Sequence, residues 1–218
     1  MTDLRATVDA IACQRDTISP ERSLLVGISG IDASGKGYVA ERLVADAERR
    51  GLRAAAIGAD GWLNLPPRRF NPTNPGEHFY EQAFRFEEMF RELILPLKHY
   101  RSCRVVADFT EETAAEYRPH VYEFANLDVI LLEGIFLFKS AYRAYFDLTI
   151  WVDCTFETAL ERALTRGQEG LPAEATIAAY QTIYFAAQRI HFARDNPQAV
   201  ADIRIVNDPR LLATEVAS

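Results

Sequence analysis

The sequence predicts an α/β fold in which a mostly parallel sheet is flanked by helices, and two observations carry that expectation. Six apolar runs of strand length, "SLLVGIS", "RAAAIGA", "CRVVADF", "DVILLEG", "LTIWVD" and "DIRIVN", alternate with longer segments of helical period. Four of these runs are continuous rather than alternating, as strands buried on both faces are. The 218 residues suffice for one domain, 1–218, with a full hydrophobic core.

After a short helical piece at the N-terminus, the strand "SLLVGIS" runs straight into "GIDASGKG" and then "YVAERLVADAERR", a helix expected over about residues 36–50. Gly30, Gly35 and Lys36 hold the G-x-x-x-x-G-K spacing of a phosphate-binding loop. Glycines let backbone amides turn inward, the helix N-terminus adds positive potential, and the lysine reaches the outer phosphates. A turn that used its glycines for packing alone would leave Ser34 and Lys36 without a task. Gly30, Ile31, Asp32, Ala33, Ser34, Gly35, Lys36, Gly37 and Tyr38 are therefore the expected nucleotide-binding loop. Gly37 departs from the usual motif, in which a Ser or Thr hydroxyl binds Mg²⁺. Here the loop resembles that of the adenylate kinase family, where glycine also follows the lysine and the metal is held largely through water. Ser34 and nearby carboxylates are expected to support that hydration shell.

Ligands of a parallel sheet sit beyond the carboxyl ends of its strands. Asp60 follows "RAAAIGA", Glu133 follows "DVILL", and Asp108 follows "CRVVA". Phosphoryl transfer to a hydroxyl asks one carboxylate to accept the proton and another to orient magnesium or its waters. Asp60 suits the base and Glu133 the metal side, with Asp60 also reaching the metal through water. Single acids more often cap helices or loops. Asp108 stays a lesser alternative, and Asp153 at the end of "LTIWVD" is expected to cap the next helix.

"GWLNLPPRRFNPTNPGEH", residues 61–78, carries too many prolines and asparagines for a helix or central strand and is expected to form a long loop. A helix over about 77–95 follows. Trp62, Arg68, Arg69 and Tyr80 lie where an acceptor would dock after the base, as stacking surface and as cations. A small helical piece is expected near 137–145 and a helix over 155–166. "RALTRGQEGLP" stops that helix at Gly167 and starts another after Pro172, which suits a short hinged lid over about 162–175. On the last long helix, 172–192, Tyr180, Tyr184 and Gln188 share one face and read as core packing.

Composition excludes several classes. With 24 basic against 31 acidic residues, net −7, the chain offers no broad basic face for nucleic acid. Three cysteines without a C-x-x-C pattern read as reduced thiols of a cytoplasmic protein, and no apolar run reaches membrane-spanning length. No membrane partner is expected.

"GISGIDASGKG", "GADGWLNL", "VILLEGIFLF", "YFDLTIWVDCTFETALERALTRG" and "ADIRIVND", in that order over residues 22–208, resemble the P-loop kinase family of uridine kinase, phosphoribulokinase and bacterial pantothenate kinase. The resemblance implies the P-loop NTPase fold and an ATP- and Mg²⁺-dependent transfer of the γ-phosphoryl group to a hydroxyl. It places Asp60 on the family's catalytic base, Lys36 on its phosphate lysine, Glu133 on its magnesium-side acid, and Arg162 and Arg166 on its lid arginines. Asp60, Lys36 and Arg166 are thus the expected catalytic set. Asp60, Trp62, Arg69, Tyr80, Arg118 and Glu133 form the expected acceptor set, Arg118 because the region between "CRVVADF" and "DVILLEG" contributes to acceptor binding in similar kinases. Uridine kinases carry an acid for the ribose where "EHFYEQAF" has Phe79; Glu77 or Glu81 could substitute. A nucleoside such as uridine is the leading acceptor. The alternatives are a pantothenate- or sugar-type kinase, a nucleoside monophosphate kinase, and a non-catalytic nucleotide-binding protein. Relatives are often oligomeric, so a homo-oligomer stays open.

Overall fold

The computed structural model describes residues 4–168 and 170–216. Residues 1–3, 217 and 218 of the expected domain, and Glu169 of the expected lid, lie outside the described residues. Helix α1 (Arg5–Thr17) precedes β1 (Leu24–Gly30), α2 (Lys36–Glu48) and β2 (Ala54–Gly58). A 3₁₀ turn over Ala59–Trp62 leads to α3 (Pro66–Arg69) and α4 (Pro75–Gln82). Next come α5 (Phe86–Met89) and α6 (Leu95–Tyr100), joined by a π-helical turn, and then β3 (Cys103–Phe109), β4 (Arg118–Phe124), β5 (Val129–Glu133) and β6 (Leu148–Asp153). The chain ends through α7 (Phe156–Arg166), α8 (Ala173–Ala179), a π-helical turn over Tyr180–Tyr184, α9 (Phe185–Asp195), β7 (Ile203–Val206) and α10 (Pro209–Val216).

Five strands form one sheet in the order β2-β5-β1-β6-β7, each adjacent pair parallel. Both faces are covered, which is why β1 is buried at every position. Leu24, Val26 and Ile28 share a core with Val8 and Ile11 of α1 and with Val39 and Leu43 of α2. Leu25, Ile130, Leu132 and Trp151 belong to the opposite core with Phe79 of α4 and with Tyr184 and Phe185. Ile28 and Gly58 both stand opposite Glu133. The carboxyl ends of β1, β2 and β5 therefore finish at one level, and the segments that follow them meet.

"CRVVADF" is a strand, but it pairs antiparallel with β4 in a separate two-stranded hairpin rather than joining the parallel sheet. Its burial explains the difference: Arg104, Val106 and Asp108 are exposed and Ala107 is buried, so only one face is covered. "RPHVYEF" has no continuous apolar run, and its strand character shows only in the pairing. The proline-rich segment is not a plain loop, because Pro66 and Pro75 open α3 and α4. At that position the missing amide costs nothing. The expected 77–95 helix breaks at Phe84, which bridges to Leu63, while Arg85 N donates to Trp62 O at 2.8 Å. Only a 3₁₀ turn, Arg143–Tyr145, forms within 137–145. Thr155, not Asp153, caps α7 by accepting from Thr158 N at 3.2 Å; buried Asp153 instead accepts from Gln198 and Arg204, each at 2.9 Å. Among the described residues no helix is long and apolar enough to cross a membrane.

Candidate active site

The loop between β1 and α2 has the shape its glycines require. A Cβ on Gly30 would lie 2.7 Å from the Val152 carbonyl oxygen, and Gly35 adopts φ +90°, a left-handed conformation that favours glycine. Asn207, just past β7, donates to the Ser34 carbonyl at 2.8 Å, and Arg162 donates to the same carbonyl at 3.2 Å and to Asn207 O at 2.9 Å. Arg162 thus braces the loop and does not border the cleft. Lys36 opens α2, is almost fully buried, and donates through Nζ to Ile31 O at 3.0 Å.

Asp32 links the loop to the end of α7 and to Tyr180. Its carboxylate accepts from Tyr180 Oη at 2.6 Å and from the Ala33 amide at 2.8 Å. Arg166, the last residue of α7, stands 3.7 Å from Asp32 Oδ1 and donates to Tyr180 Oη at 3.3 Å.

A cleft of about 280 Å³ opens at the carboxyl ends of the strands. The loop after β1, the start of α2 and the end of α7 contribute Asp32, Ala33, Gly35, Lys36, Gly37, Tyr38, Arg166 and Gln168. Asp60 and Glu133 come from the ends of β2 and β5. Leu63, Phe79, Phe84, Glu112, Ile135 and Tyr184 complete the wall. Of these last six, the sequence points only to Phe79, as the position of an acid in uridine kinases. The helical spacing of Tyr184 reads as packing, and nothing around Glu112 in "DFTEETAAEY" signals a site.

Burial pushes the Glu133 carboxyl up to about 7, opposed by Lys36 and reinforced by Asp60. Asp60 is also shifted upward, first by the protein around it, against the pull of Lys36 and with the push of Asp32. Its side chain still faces water in the open cleft. Hydration therefore restrains that rise until a ligand expels the water. A carboxyl that ionises at about 7 when folded and 4.5 when free costs the fold stability as pH rises through that interval. Glu133→Gln removes that cost. We expect its Tm to exceed the wild-type value at about pH 8 and to match it near about pH 4.5, while turnover falls. An equal Tm difference at both pH values would remove Glu133 from this role.

The donor set fits Mg²⁺ held by phosphates, water and one or two carboxylates. No group of three or more His, Cys, Asp or Glu able to hold a metal occurs among the described residues. Ser34, expected beside that hydration shell, is fully buried, and its hydroxyl has no hydrogen-bond partner among the described residues. A Cβ on Gly37 would meet nothing within 4 Å, so the missing hydroxyl is not forced by crowding. Gly37→Ser should fold at least as well, since glycine in a helix costs about 0.5–1 kcal/mol, and should lower the Mg²⁺ concentration needed for half-maximal turnover. A higher requirement in the magnesium titration would show that Gly37 is needed for some other reason.

Several expected acceptor residues lie outside the cleft. Trp62 is fully buried and stacks on Tyr122 at 5.8 Å. Tyr80 donates to Asp195 at 2.5 Å within a buried cluster with His191. Arg69 is buried against Glu112, and Arg118 pairs with Glu111 on the exposed hairpin. Asp108, the lesser alternative among the strand-end acids, is exposed on β3 away from the cleft. Glu77 and Glu81 both pair with Arg194.

No family model matches the chain, and no curated protein matches it in sequence. Solved structures do match. A candidate uridine kinase from Bacillus stearothermophilus aligns with a TM-score of 0.69 at 19% identity, over 93% of this chain and 98% of that one. A candidate fructose transport system kinase from Silicibacter sp. TM1040 aligns at 0.74 and 22% identity, over 94% and 100%. Phosphoribulokinase from Rhodobacter sphaeroides aligns at 0.60 and 16% identity, over 86% and 71%. The parallel five-stranded sheet with flanking helices is the fold of these P-loop kinases.

Proposed function

We propose that this chain is an ATP- and Mg²⁺-dependent kinase that transfers the γ-phosphoryl group to a hydroxyl of a small metabolite, a nucleoside such as uridine. The observation that carries the reading is the meeting of Lys36, Asp60, Glu133 and Arg166 in one cleft at the mouth of the glycine loop. A protein that only bound nucleotide would have no use for a carboxylate base opposite the phosphate lysine.

The loop amides and Lys36 hold the phosphates, and Arg162 acts on them through the loop it braces. Asp60 takes the proton of the attacking hydroxyl, and Glu133 would hold Mg²⁺ through its waters. Arg166 leaves Asp32 and Tyr180 to meet charge on the transferred group, with residues 162–175 closing as a lid. Bound Mg²⁺ would supply neutralisation of the β- and γ-phosphate charge. The whole chain serves as a single kinase domain in a soluble, cytoplasmic protein, with the segment 61–80 shaping the acceptor side.

A sugar acceptor is the second reading. It is favoured by Phe79, which borders the cleft where uridine kinases carry a ribose-binding acid. ADP release measured with Mg²⁺·ATP and uridine, cytidine, fructose, pantothenate or nucleoside monophosphates tests both. Stimulation by one acceptor class supports the kinase and names its substrate; ATP binding without stimulation by any acceptor sinks it.

A further inference from the structure

We propose that Phe84 limits how far the acceptor extends from its reacting hydroxyl: the ring closes the cleft against a neighbouring groove, so that a compact acceptor fits and one with a longer chain clashes. The inference rests on the kinase reading above and extends it to the substrate class.

Two cavities meet at this side chain. Leu63, Phe79 and Phe84 stand in the wall of the cleft of about 280 Å³. A groove of about 410 Å³ beside α4 and α5 is bordered by Asn64, Gln82, Phe84, Arg85 and Tyr142. Phe84 thus borders both. The backbone shows why the boundary falls there. Leu63 and Phe84 form an antiparallel bridge, closed by Asn64 N donating to Ala83 O at 2.7 Å and Arg85 N donating to Trp62 O at 2.8 Å. Neighbouring side chains along an extended pair point to opposite faces. Leu63 accordingly borders the cleft and Asn64 the groove. With the main chain of this wall pinned, the Phe84 ring decides whether the two spaces join.

The ring is held in place. It lies parallel to Phe86, with centroids 4.8 Å apart and planes within 4°, and meets the fully buried Phe136 edge-on at 6.3 Å. Moving it aside would break both contacts. Size points the same way. At about 280 Å³ the cleft falls just below the range of about 300–1,000 Å³ usual for small-molecule sites, and it must take the phosphoryl group as well as the acceptor. A longer chain would therefore have to pass Phe84 into the groove, where Asn64, Arg68 and Gln82 offer polar contacts. A wall that clashes with the longer ligand discriminates without adding any contact to the shorter one.

The test is Phe84→Ala, which joins the two spaces. Each of three acceptors is paired with a longer compound that keeps its primary hydroxyls: fructose with maltulose, uridine with 5-aminoallyluridine, and pantothenate with pantetheine. The readout is the ratio of kcat/KM for the longer member to that for the shorter, at saturating Mg²⁺·ATP. For wild type that ratio is expected at about 0.01 or less, and Phe84→Ala raises it about tenfold or more. A variant that is only less stable loses activity with both members and leaves the ratio where it was. Should Phe84→Ala fail to fold, Phe84→Leu, which keeps an apolar contact for Phe86 but is shorter than the ring, must raise the ratio in the same direction. An unchanged ratio, or wild-type preference for the longer member, overturns the inference. Where Asp60→Asn abolishes turnover and the ratio does not move with Phe84, the kinase reading stands and Phe84 alone is overturned. Turnover with no acceptor overturns the kinase reading and this inference with it.

Discussion

Asp60→Asn is expected to bind Mg²⁺·ATP with near wild-type affinity and to lose about 10²- to 10⁴-fold in acceptor-dependent turnover, the usual contribution of a positioned general base. Asparagine keeps the shape and the place at the end of β2 but cannot take a proton. Folding should survive, because Asp60 is exposed at the open cleft. Removal of its charge also relieves Glu133, whose carboxyl Asp60 helps to hold up. The variant should therefore be slightly more stable than wild type at neutral pH. Calorimetry for nucleotide binding, a melting curve and an ADP-release assay check the three parts separately. Unchanged turnover would remove Asp60 as the base.

Arg166→Ala carries the second large effect, a loss of about 10³-fold or more in kcat, at the lower end of what a charge-stabilising arginine contributes to phosphoryl transfer. Its place in the structure argues for motion. At the end of α7 its guanidinium rests beside Asp32 and Tyr180, a loop acid and a buried hydroxyl joined at 2.6 Å. A bound phosphate would compete with Asp32 for the same cation. The side chain is 40% exposed, so its truncation should change Tm little. A kcat within tenfold of wild type would leave Arg166 as a surface partner of Asp32 and nothing more.

Much of this site was legible in the residues. The order strand, glycine loop, helix fixes where Lys36 stands, and the acids that close continuous apolar runs, Asp60 and Glu133, fall at the sheet's carboxyl edge because a strand buried on both faces has only its ends open to ligand. What stayed hidden depends on contacts across the chain. Tyr184 packs in the core and also borders the cleft, and helical spacing shows only the packing. Glu112 lies in a segment with no periodicity and reaches the site through Arg69 and Gly61, 43 and about 50 positions away. Trp62 and Tyr80, plausible from their places after the base, are taken up by Tyr122 and Asp195. The β3–β4 pairing is hidden in the residues because Arg118 to Val121 of β4 are all exposed and show no alternation to match that of β3. Asn207 and Arg162 support the glycine loop from outside, a role that no local motif announces.

The measurement that bears most directly on the account follows the phosphoryl group itself. Wild type and Asp60→Asn are incubated with Mg²⁺ and γ-labelled ATP beside uridine and fructose, and the products are resolved. Label on an acceptor hydroxyl with wild type, and its near-complete loss with the variant, is the predicted result. Label released only as inorganic phosphate, or equal labelling by both proteins, would contradict it.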